Sequence, residues 1–295
     1  MSPSGWELQR YRAPGVTPLE VWNLPVQGHE MWELLGTPRL EQDCRAGVPE
    51  DALAGRMLPV LTEALEALVP RHRVDAVFLS GGLLALEGFL PALNAAEASL
   101  PCPIYVAREP RFAAVRAGLR LLEDLRPTSP LSVDVGQTSI KAASPSHLHL
   151  AERDTVAMPR LFIGMPRPAD GKHVSAAVRF IAEALRTAAQ PLSQPVDALC
   201  LALPCPLDDA LAPGGCTYGW ESRASLVSDI LAASGLNPPR ATVRVLNDAE
   251  LTAEAARRDE RVTGSRVLCL TLGFGPGGAL LERTSTHVEP RRTVV

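Results

Sequence analysis

The stretch Val133–Lys141, with the sequence VDVGQTSIK, is the feature around which the rest of this chain is interpreted. Two valines flank Asp134, Gly136 turns the chain, and an apolar run returns to Lys141, a pattern that predicts a β-hairpin. Backbone N–H groups in such a turn can approach a phosphate, because glycine has no Cβ. Asp134 could hold Mg²⁺, which prefers one or two carboxylates, and Lys141 could face a phosphate. A plain tight turn without a bound phosphate is the alternative for the same residues.

Two other glycine turns each follow an apolar run that predicts a buried strand. The turn in Thr271–Gly278, TLGFGPGG, holds four glycines, which are Gly273, Gly275, Gly277 and Gly278. An ordinary hairpin does not need four glycines, so close approach of the backbone to a phosphate is the better explanation. Phe274 offers no hydroxyl and Pro276 offers no N–H, so this turn donates fewer hydrogen bonds than it could. The third turn, Ser80-Gly81-Gly82, is a weak signal on its own.

Asn247 and Asp248 stand between an apolar run, Thr242–Leu246, and a helical pattern, Ala249–Arg258. Open α/β sheets place their reactive groups at the carboxyl ends of strands. Asp248 could there accept the proton of a substrate hydroxyl that attacks a γ-phosphate. A plain helix cap is the alternative, because Asn and Asp are preferred at helix N-termini. Because two glycine turns accompany Asn247 and Asp248 in the same sequence, a general base at Asp248 is favoured over a plain helix cap.

Apolar runs alternate with helical patterns beyond residue 50, whereas residues 1–50 show no long period. Runs such as Val74–Leu79 and Ala198–Leu203 predict buried strands, and Val174–Ala189 predicts an amphipathic helix. This alternation predicts an α/β fold with helices on the faces of the sheets. No internal repeat is visible in the sequence.

Composition argues against several classes of function. The chain has 295 residues, of which 46% are hydrophobic and 21% charged, so two domains with their own cores are expected. A formal net charge of -4 and an aromatic content of 4% argue against nucleic-acid binding. The sequence has no run of about 18 apolar residues, so no membrane span is expected. The N-terminus lacks the pattern of a signal peptide. Six cysteines without a CxxC pair indicate reduced thiols, so a cytoplasmic protein is expected.

Several of these features together resemble the ROK family of bacterial sugar kinases and repressors. In that family a strand ending in Pro-Gly-Pro is followed by Gly-Trp, a helix and Asn-Asp-Ala; here Pro204, Gly219-Trp220 and Asn247-Asp248-Ala249 stand in that order. The Asp-x-Gly-x-Thr pattern of the hairpin is similar to the family's first phosphate motif, and the four-glycine turn is similar to its second. Val77–Gly82 is similar to its adenosine-side motif. The resemblance implies a two-domain actin-like ATPase fold, which is ribonuclease H-like, with a nucleotide and sugar cleft between the domains.

The order of these motifs is not that of the family. Residues 20–26, EVWNLPV, resemble the family's Glu-Ile-Gly-His-x-Pro-Val segment, which normally follows the second phosphate turn. Residues 1–125 thus resemble the family's C-terminal part and residues 131–282 its N-terminal part. The resemblance implies a circular permutant whose old ends are joined by linker 126–130, as is tolerated where termini lie together at the surface. The tail after Glu282 is then expected near the first residues of the chain.

The resemblance also implies a division into two domains. Residues 1–108 and 247–295 would form the larger domain, with the adenosine, second phosphate and sugar-binding segments. Residues 109–246 would form the smaller domain, with the first phosphate motif. A homodimer is one expectation, because isologous dimers are the commonest oligomers.

The implied activity is an ATP- and Mg²⁺-dependent kinase that transfers the γ-phosphate to a hydroxyl of a hexose or amino sugar. Asp248 would be the general base, and Asp134 would position the Mg²⁺ of ATP. The expected sugar ligands are Glu20, Asn23 and Asn247. The expected nucleotide-binding residues are Asp134, Gly136, Gln137, Thr138, Lys141, Gly273, Gly275, Gly277, Gly278, Gly81 and Gly82.

Three departures from the family pattern keep an alternative open. Phe274 stands where the second phosphate motif has threonine, and Cys205 replaces the glycine of Pro-Gly-Pro. Cys44 stands alone and Asn23 replaces the zinc-binding histidine, so no structural zinc is expected. Without a helix-turn-helix extension, the DNA-binding branch of the family is not expected. The alternative is a non-catalytic sugar or nucleotide sensor, a pseudokinase of the same fold.

Overall fold

The structure is a computed structural model that describes residues 5–162, 165–168 and 170–283. Within these ranges the chain forms thirteen strands: β1 (Trp6–Arg10), β2 (Val16–Leu19), β3 (Pro25–Val26), β4 (His29–Glu30), β5 (Ala76–Ser80), β6 (Ile104–Val106), β7 (Pro130–Val135), β8 (Ser139–Ala143), β9 (Leu148–Glu152), β10 (Ala198–Leu203), β11 (Ala241–Asn247), β12 (Arg266–Thr271) and β13 (Gly277–Glu282). The α-helices of the same ranges are α1 (Met31–Leu35), α2 (Thr37–Arg45), α3 (Glu50–His72), α4 (Phe89–Ala96), α5 (Ala113–Leu121), α6 (Lys172–Ala189), α7 (Leu226–Ser234) and α8 (Asp248–Arg258). None of the described helices is long and apolar enough to cross a membrane.

One sheet has six strands in the order β1-β11-β10-β7-β8-β9. Strands β7, β8 and β9 are antiparallel neighbours, whereas β10 and β11 run parallel to β7. Parallel strands need crossover connections, and helices α6 and α7 lie in these connections. Strand β10 is buried at every residue, as expected for a strand that is covered on both faces. Helices α6 and α7 pack on one face and α5 on the other.

The other main sheet has five strands in the order β2-β13-β12-β5-β6. Strands β12, β13 and β2 are antiparallel neighbours, whereas β5 and β6 run parallel to β12. Helices α3 and α4 pack on one face of this sheet and α8 on the other. Helix α8 also packs against α5, so this helix pair lies between the two sheets.

Both sheets share one arrangement of strands. Three antiparallel strands, β9-β8-β7 or β2-β13-β12, are followed by two parallel strands, β10-β11 or β5-β6. This is the strand order of a ribonuclease H-like unit, and two such units make up the predicted two-domain actin-like ATPase fold. In the five-stranded sheet, β2 precedes its antiparallel neighbours in the chain, which is the order that a circular permutation produces.

The first strand differs from the predicted domain division. Residues 1–108 are predicted to belong to the larger domain, but β1 pairs with β11 in the six-stranded sheet of the other domain. The side chain of Trp6 explains this placement, because it is 4% exposed within the core of that sheet. Its Nε1 also donates to the carbonyl of Leu236 at 3.3 Å. Residues 284–295 lie outside the described residues, so the expected position of the tail near the start of the chain stays a prediction.

The predicted linker 126–130 forms an ordered connection between α5 and β7. Asp197 accepts hydrogen bonds from the backbone N–H of Thr128 at 2.7 Å and from that of Ser129 at 2.9 Å. These hydrogen bonds and the Ser129 and Thr128 hydroxyls hold the chain as it enters β7. The junction of the implied permutation is therefore part of the folded structure.

Gly118 in α5 and Gly55 in α3 provide a matched test of helix packing on the sheets. A Cβ on Gly118 would lie 2.1 Å from Ser132 Oγ and 3.0 Å from Cys200 Sγ, whereas a Cβ on Gly55 meets nothing within 4 Å. We expect Gly118→Ala to lower the free energy of unfolding by about 1–3 kcal/mol through overpacking. Gly55→Ala should raise it by about 0.5–1 kcal/mol, because alanine favours a helix. Urea unfolding measures both, and a stabilising effect of Gly118→Ala would contradict the close packing of α5.

Candidate functional site

A cavity of about 710 Å³ lies in the cleft between the two sheets. Its walls are formed by residues that follow β10 and β11, by the β12–β13 turn, by several residues between Arg10 and Trp32, and by Gln137 and Phe162. The carboxyl ends of parallel strands meet at this edge, which is where open α/β folds bind ligands. The cavity is thus the first place to look for the predicted site residues.

Asn247 and Asp248 lie on the wall of this cavity, where β11 ends and α8 begins. Asn247 is the N-cap of α8: its Oδ1 accepts from the backbone N–H of Ala249 at 2.9 Å. Glu250 completes the capping box by accepting from the backbone N–H of Asn247 at 2.9 Å. The amide of Asn247 donates to the carbonyl of Cys205 at 2.9 Å. Asn247 is therefore the helix cap, whereas the neighbouring Asp248 lines the cavity.

Asp248 has an unusual protonation equilibrium. Burial raises the pKa of its carboxyl to about 7, and the nearby negative charge of Asp134 adds to this effect. The backbone N–H of Ala249, which donates to Oδ1 at 2.8 Å, and the charge of Lys141 act in the opposite direction. A carboxyl with this pKa can take up or release a proton near neutral pH.

Asp134 lies at the end of β7, directly opposite Lys141 on β8. Lys141 Nζ is 3.4 Å from Asp134 Oδ2, and both side chains are largely buried. Asp134 Oδ1 is also buried and has no hydrogen-bond partner among the described residues. An unpartnered carboxylate oxygen is costly to bury. The arrangement fits a cation bound to this oxygen, and Mg²⁺ prefers such a ligand.

Hydrogen bonds from other parts of the chain to the backbone carbonyl groups of residues 136–138 hold the turn that follows Asp134. The hydroxyl of Tyr218 donates to the carbonyl of Gly136 at 2.8 Å, and Arg153 donates to the carbonyls of Gln137 and Thr138 at 3.1 and 2.8 Å. A Cβ on Gly136 would lie 2.7 Å from the carbonyl oxygen of Ser139, so only glycine fits there without a shift. Among the turn residues, Gln137 lines the cavity.

Arg153, which follows β9, organises this region and was not singled out by any sequence pattern. Its guanidinium lies 4.0 Å from the ring centre of Tyr218. Its side chain donates to Thr217 Oγ1 at 2.8 Å and to the carbonyls of Thr217, Pro159, Met158 and Gln137 at 3.0 to 3.1 Å. It is 7% exposed, and burial lowers the pKa of its guanidinium. No motif marks a single arginine whose partners lie up to 64 residues away.

The second glycine turn, between β12 and β13, is fixed by α2. The backbone N–H of Thr37 donates to the carbonyls of Gly273 and Phe274 at 3.1 and 3.0 Å. A Cβ on Gly273 would meet nothing within 4 Å, so space remains beside this residue. The Phe274 ring packs 5.8 Å from the ring of Phe162, and the Arg160 guanidinium lies 4.9 Å above it. Phe274, Gly275, Gly277 and Gly278 line the cavity.

The remaining residues of the predicted site lie in two regions, the turn after β5 and the segment between β2 and β3. Gly81 has φ +111°, and a Cβ there would lie 2.2 Å from the carbonyl oxygen of Leu272, so close packing of the chain requires glycine. Gly82 begins a short 3-10 helix after β5 and lies outside the cavity lining. Glu20 is exposed and lines the cavity, whereas the exposed Asn23 does not. The structure thus brings Glu20, Asn247, Asp248 and part of both glycine turns to one cavity.

No family model and no curated protein matches this chain. Among solved structures, the chain is similar to the Ppx/GppA phosphatase of Aquifex aeolicus, in the crystal structure of its type II variant. The two are 13% identical, the TM-score is 0.42, and the match covers 72% of this chain and 86% of that chain. This weak likeness says nothing about activity, and the fold assignment follows from the strand order of the two sheets.

Proposed function

We propose that this chain is an ATP-dependent kinase that phosphorylates a hydroxyl of a hexose or amino sugar, and that it is a circularly permuted relative of the ROK family. The observation that carries the proposal is Asp248, which lines the cavity with a pKa of about 7 and lies near Asp134 and Lys141. A general base works best when its pKa lies near the working pH. The helix cap alone does not require Asp248, because Asn247 already accepts from the same backbone N–H of Ala249.

Asp248 accepts the proton of an acceptor hydroxyl in this proposal. It lies on the acceptor side, because it lines the cavity, whereas Asp134 and Lys141 do not. Its carboxylate form is the active form, and the charge of Asp134 makes that form a stronger base by raising the pKa. Glu20 lines the same cavity and would accept hydrogen bonds from other hydroxyls of the acceptor.

The phosphate side of the site is formed by Asp134, Lys141, Gly136 of the first turn and Gly273 of the second glycine turn, none of which lines the acceptor cavity. ATP with Mg²⁺ supplies the phosphoryl group in such a reaction. Asp134 fits the metal because its Oδ1 lacks a partner among the described residues. Lys141 Nζ, 3.4 Å from the other carboxylate oxygen, would bring a positive charge to phosphates bound beside that metal. The turn at Gly136 and the turn at Gly273 lie at the ends of corresponding strands of the two sheets.

Contacts across the cleft would keep water away from the reacting groups. Arg160, in the segment that follows β9, donates to both carboxylate oxygens of Glu41 in α2 at 3.0 and 2.9 Å. Bidentate pairs of this kind are strong and directional. They join the two domains on one side of the cavity. Exclusion of water limits hydrolysis of a phosphoryl donor.

The direct test of the proposed activity is ADP formation. The purified chain is incubated with ATP and Mg²⁺ and with each of a panel of hexoses and amino sugars. We expect ADP formation that depends on one class of acceptor and rises with pH through about 7, because Asp248 must be ionised. A coupled ADP assay with a reaction lacking acceptor as control measures this. Absence of acceptor-dependent ADP with every sugar would contradict the proposal.

A non-catalytic sugar or nucleotide sensor is the second candidate. Phe274 favours it, because the residue at this position of the second turn brings a ring rather than a hydroxyl to the site. The side chain of Asn247 also favours it, because both its polar atoms are already used within the protein. Thermal stabilisation by a sugar or a nucleotide without ADP formation would identify the sensor.

A further inference from the structure

The cavity next to Asp248 has an aromatic wall, which consists of Trp22, Trp32, Phe162 and Phe274. Aromatic residues are scarce in this chain, at 4% of its residues, yet four of them line this one cavity. They come from the segment before β3, from α1, from the segment after β9 and from the β12–β13 turn. Their meeting at one wall is therefore a property of the fold and not of one local sequence.

Three rings of the aromatic wall, those of Trp32, Phe162 and Phe274, form a continuous surface. The Phe162 ring lies between those of Trp32 and Phe274, at centroid distances of 5.8 Å to each and with interplanar angles of 40° and 38°. Such tilted contacts are favourable for aromatic pairs. Arg160 covers Phe274 from outside, and Glu41 holds Arg160 with two hydrogen bonds. The wall is thus fixed in place by both domains.

Part of the aromatic wall is open to a ligand. Trp22 is 38% exposed and is one of the few large apolar side chains at the surface, while Trp32 and Phe162 are half-buried. Leu19, Leu207 and Pro276 add further apolar lining. An exposed aromatic surface within a concave site is typical of a binding subsite.

Most of the polar side chains that line the cavity already have partners within the protein. Arg12 pairs with Asp209 at 2.6 Å, and Glu30 accepts from Trp32 Nε1 at 2.6 Å. Glu20 and Asp248 remain to meet acceptor hydroxyls. A bare hexose has a C–H face that can stack on one aromatic ring. The row of Trp32, Phe162 and Phe274, with two centroid distances of 5.8 Å, is longer than one pyranose ring, and hydroxyls at the edge of the sugar would lose hydrogen bonds with water there. A volume of about 710 Å³ also falls in the range of about 300–1,000 Å³ that holds drug-sized ligands.

We propose that the acceptor is a sugar that carries an aromatic substituent, such as an aryl glycoside, and that the aromatic wall binds this substituent. This rests on the proposed function, because the hydroxyls of the same acceptor face Asp248. Stacking of the substituent on the wall holds the sugar in the cavity while Glu20 and Asp248 contact its hydroxyls. The wall is then a specificity-determining subsite.

The test compares matched phenyl and methyl β-glycosides of glucose, galactose, mannose and N-acetylglucosamine by calorimetry without nucleotide. We expect at least one phenyl glycoside to bind about tenfold more tightly than its methyl partner, which is the effect of one or two aromatic contacts. Phe162→Ala should remove this difference. Trp22→Ala is the second variant, since Trp22 has the most exposed ring of the aromatic wall and its loss disturbs the packing least. Tyr105→Ala, which lies in a separate groove beside β6, should keep the difference.

Four results would overturn the inference: equal binding of phenyl and methyl partners, no binding by any phenyl glycoside, a preference that survives both Phe162→Ala and Trp22→Ala, or a preference that Tyr105→Ala removes. Loss of the preference in Tyr105→Ala would place the substituent in the other groove instead. The outcome is distinct from that of the kinase test. A phenyl preference without ADP formation would support the aromatic subsite and contradict the kinase activity. ADP formation without a phenyl preference would support the kinase activity and contradict the aromatic subsite.

Discussion

Asp248→Asn is expected to lower the rate of phosphoryl transfer by roughly 10²–10⁴-fold, because general-base catalysis contributes about this much. The amide cannot accept the proton of the acceptor hydroxyl, but it has nearly the same size and keeps the contact with the backbone N–H of Ala249. Acceptor binding should therefore change little. The coupled ADP assay measures the rate, and calorimetry measures binding.

Asp229→Asn is the matched control for this variant. Asp229 lies on α7 and pairs with Arg223 at the surface, so its removal should leave the rate unchanged. If the purified Asp248→Asn protein retains more than about a tenth of the wild-type rate, Asp248 is not the general base. A variant that fails to bind the acceptor would instead assign Asp248 to substrate binding.

The raised pKa of Asp248 also predicts how stability depends on pH. In the unfolded chain Asp248 ionises near the ordinary aspartate pKa of 3.8, whereas burial in the folded chain raises this pKa to about 7. Between these values the folded state holds more protons, so this residue makes stability fall as pH rises. Asp248→Asn removes the effect. The variant should therefore melt at a higher temperature than the wild type at pH 8, and the difference should vanish near pH 4.

Arg153→Met is expected to lower the free energy of unfolding by about 3–5 kcal/mol. The side chain is 7% exposed, and it donates hydrogen bonds to Thr217 and to carbonyls of the segment Met158–Pro159 and of the first turn. Methionine fills much of the volume but leaves these carbonyl groups without a donor. Urea unfolding of the purified variant measures the loss.

Arg111→Met is the control, because Arg111 is exposed and its pair with Glu152 lies at the surface. A surface pair contributes about 0–1 kcal/mol, so this variant should unfold almost as the wild type does. Equal losses in the two variants would mean that Arg153 is not the anchor of the first turn. Arg153→Lys should lie between them, because lysine lacks the planar fork of donors.

Local patterns in the sequence predict the elements around the first turn well. The valines that flank Asp134 predict the hairpin of β7 and β8, and the helical period predicts α6 over 174–189, where the structure has Lys172–Ala189. Strand β1 could not be predicted in this way. It is short, and its partner β11 lies more than 200 residues further along the chain. The two sheets share one strand order without a visible repeat, because strand order depends on which strands pair and not on residue identity.

The candidate site likewise contains residues that the sequence identifies and residues that only the structure identifies. Asp134 and Asp248 stand out in the sequence because each follows an apolar run, and the structure brings them within electrostatic reach. The pair of Arg160 and Glu41 joins residues 119 apart and carries no motif. Phe274 shows what the sequence can and cannot predict. The sequence shows that phenylalanine stands where the family motif has threonine, but the contact of Phe274 with Phe162 depends on how the two domains meet.

The position of β12 has a consequence for synthesis of the chain. This central strand of the five-stranded sheet is made after β2, β5 and β6, which are all its sheet partners except β13. At about 5–20 residues per second, the ribosome takes roughly 10–40 s to pass from β5 to β12. Strand β5 is buried at every residue in the folded protein but has no central neighbour during that interval. Strands β7 to β11 are made in one uninterrupted run, so their half can fold first, whereas the apolar strand β5 stays without its central neighbour until β12 has been made.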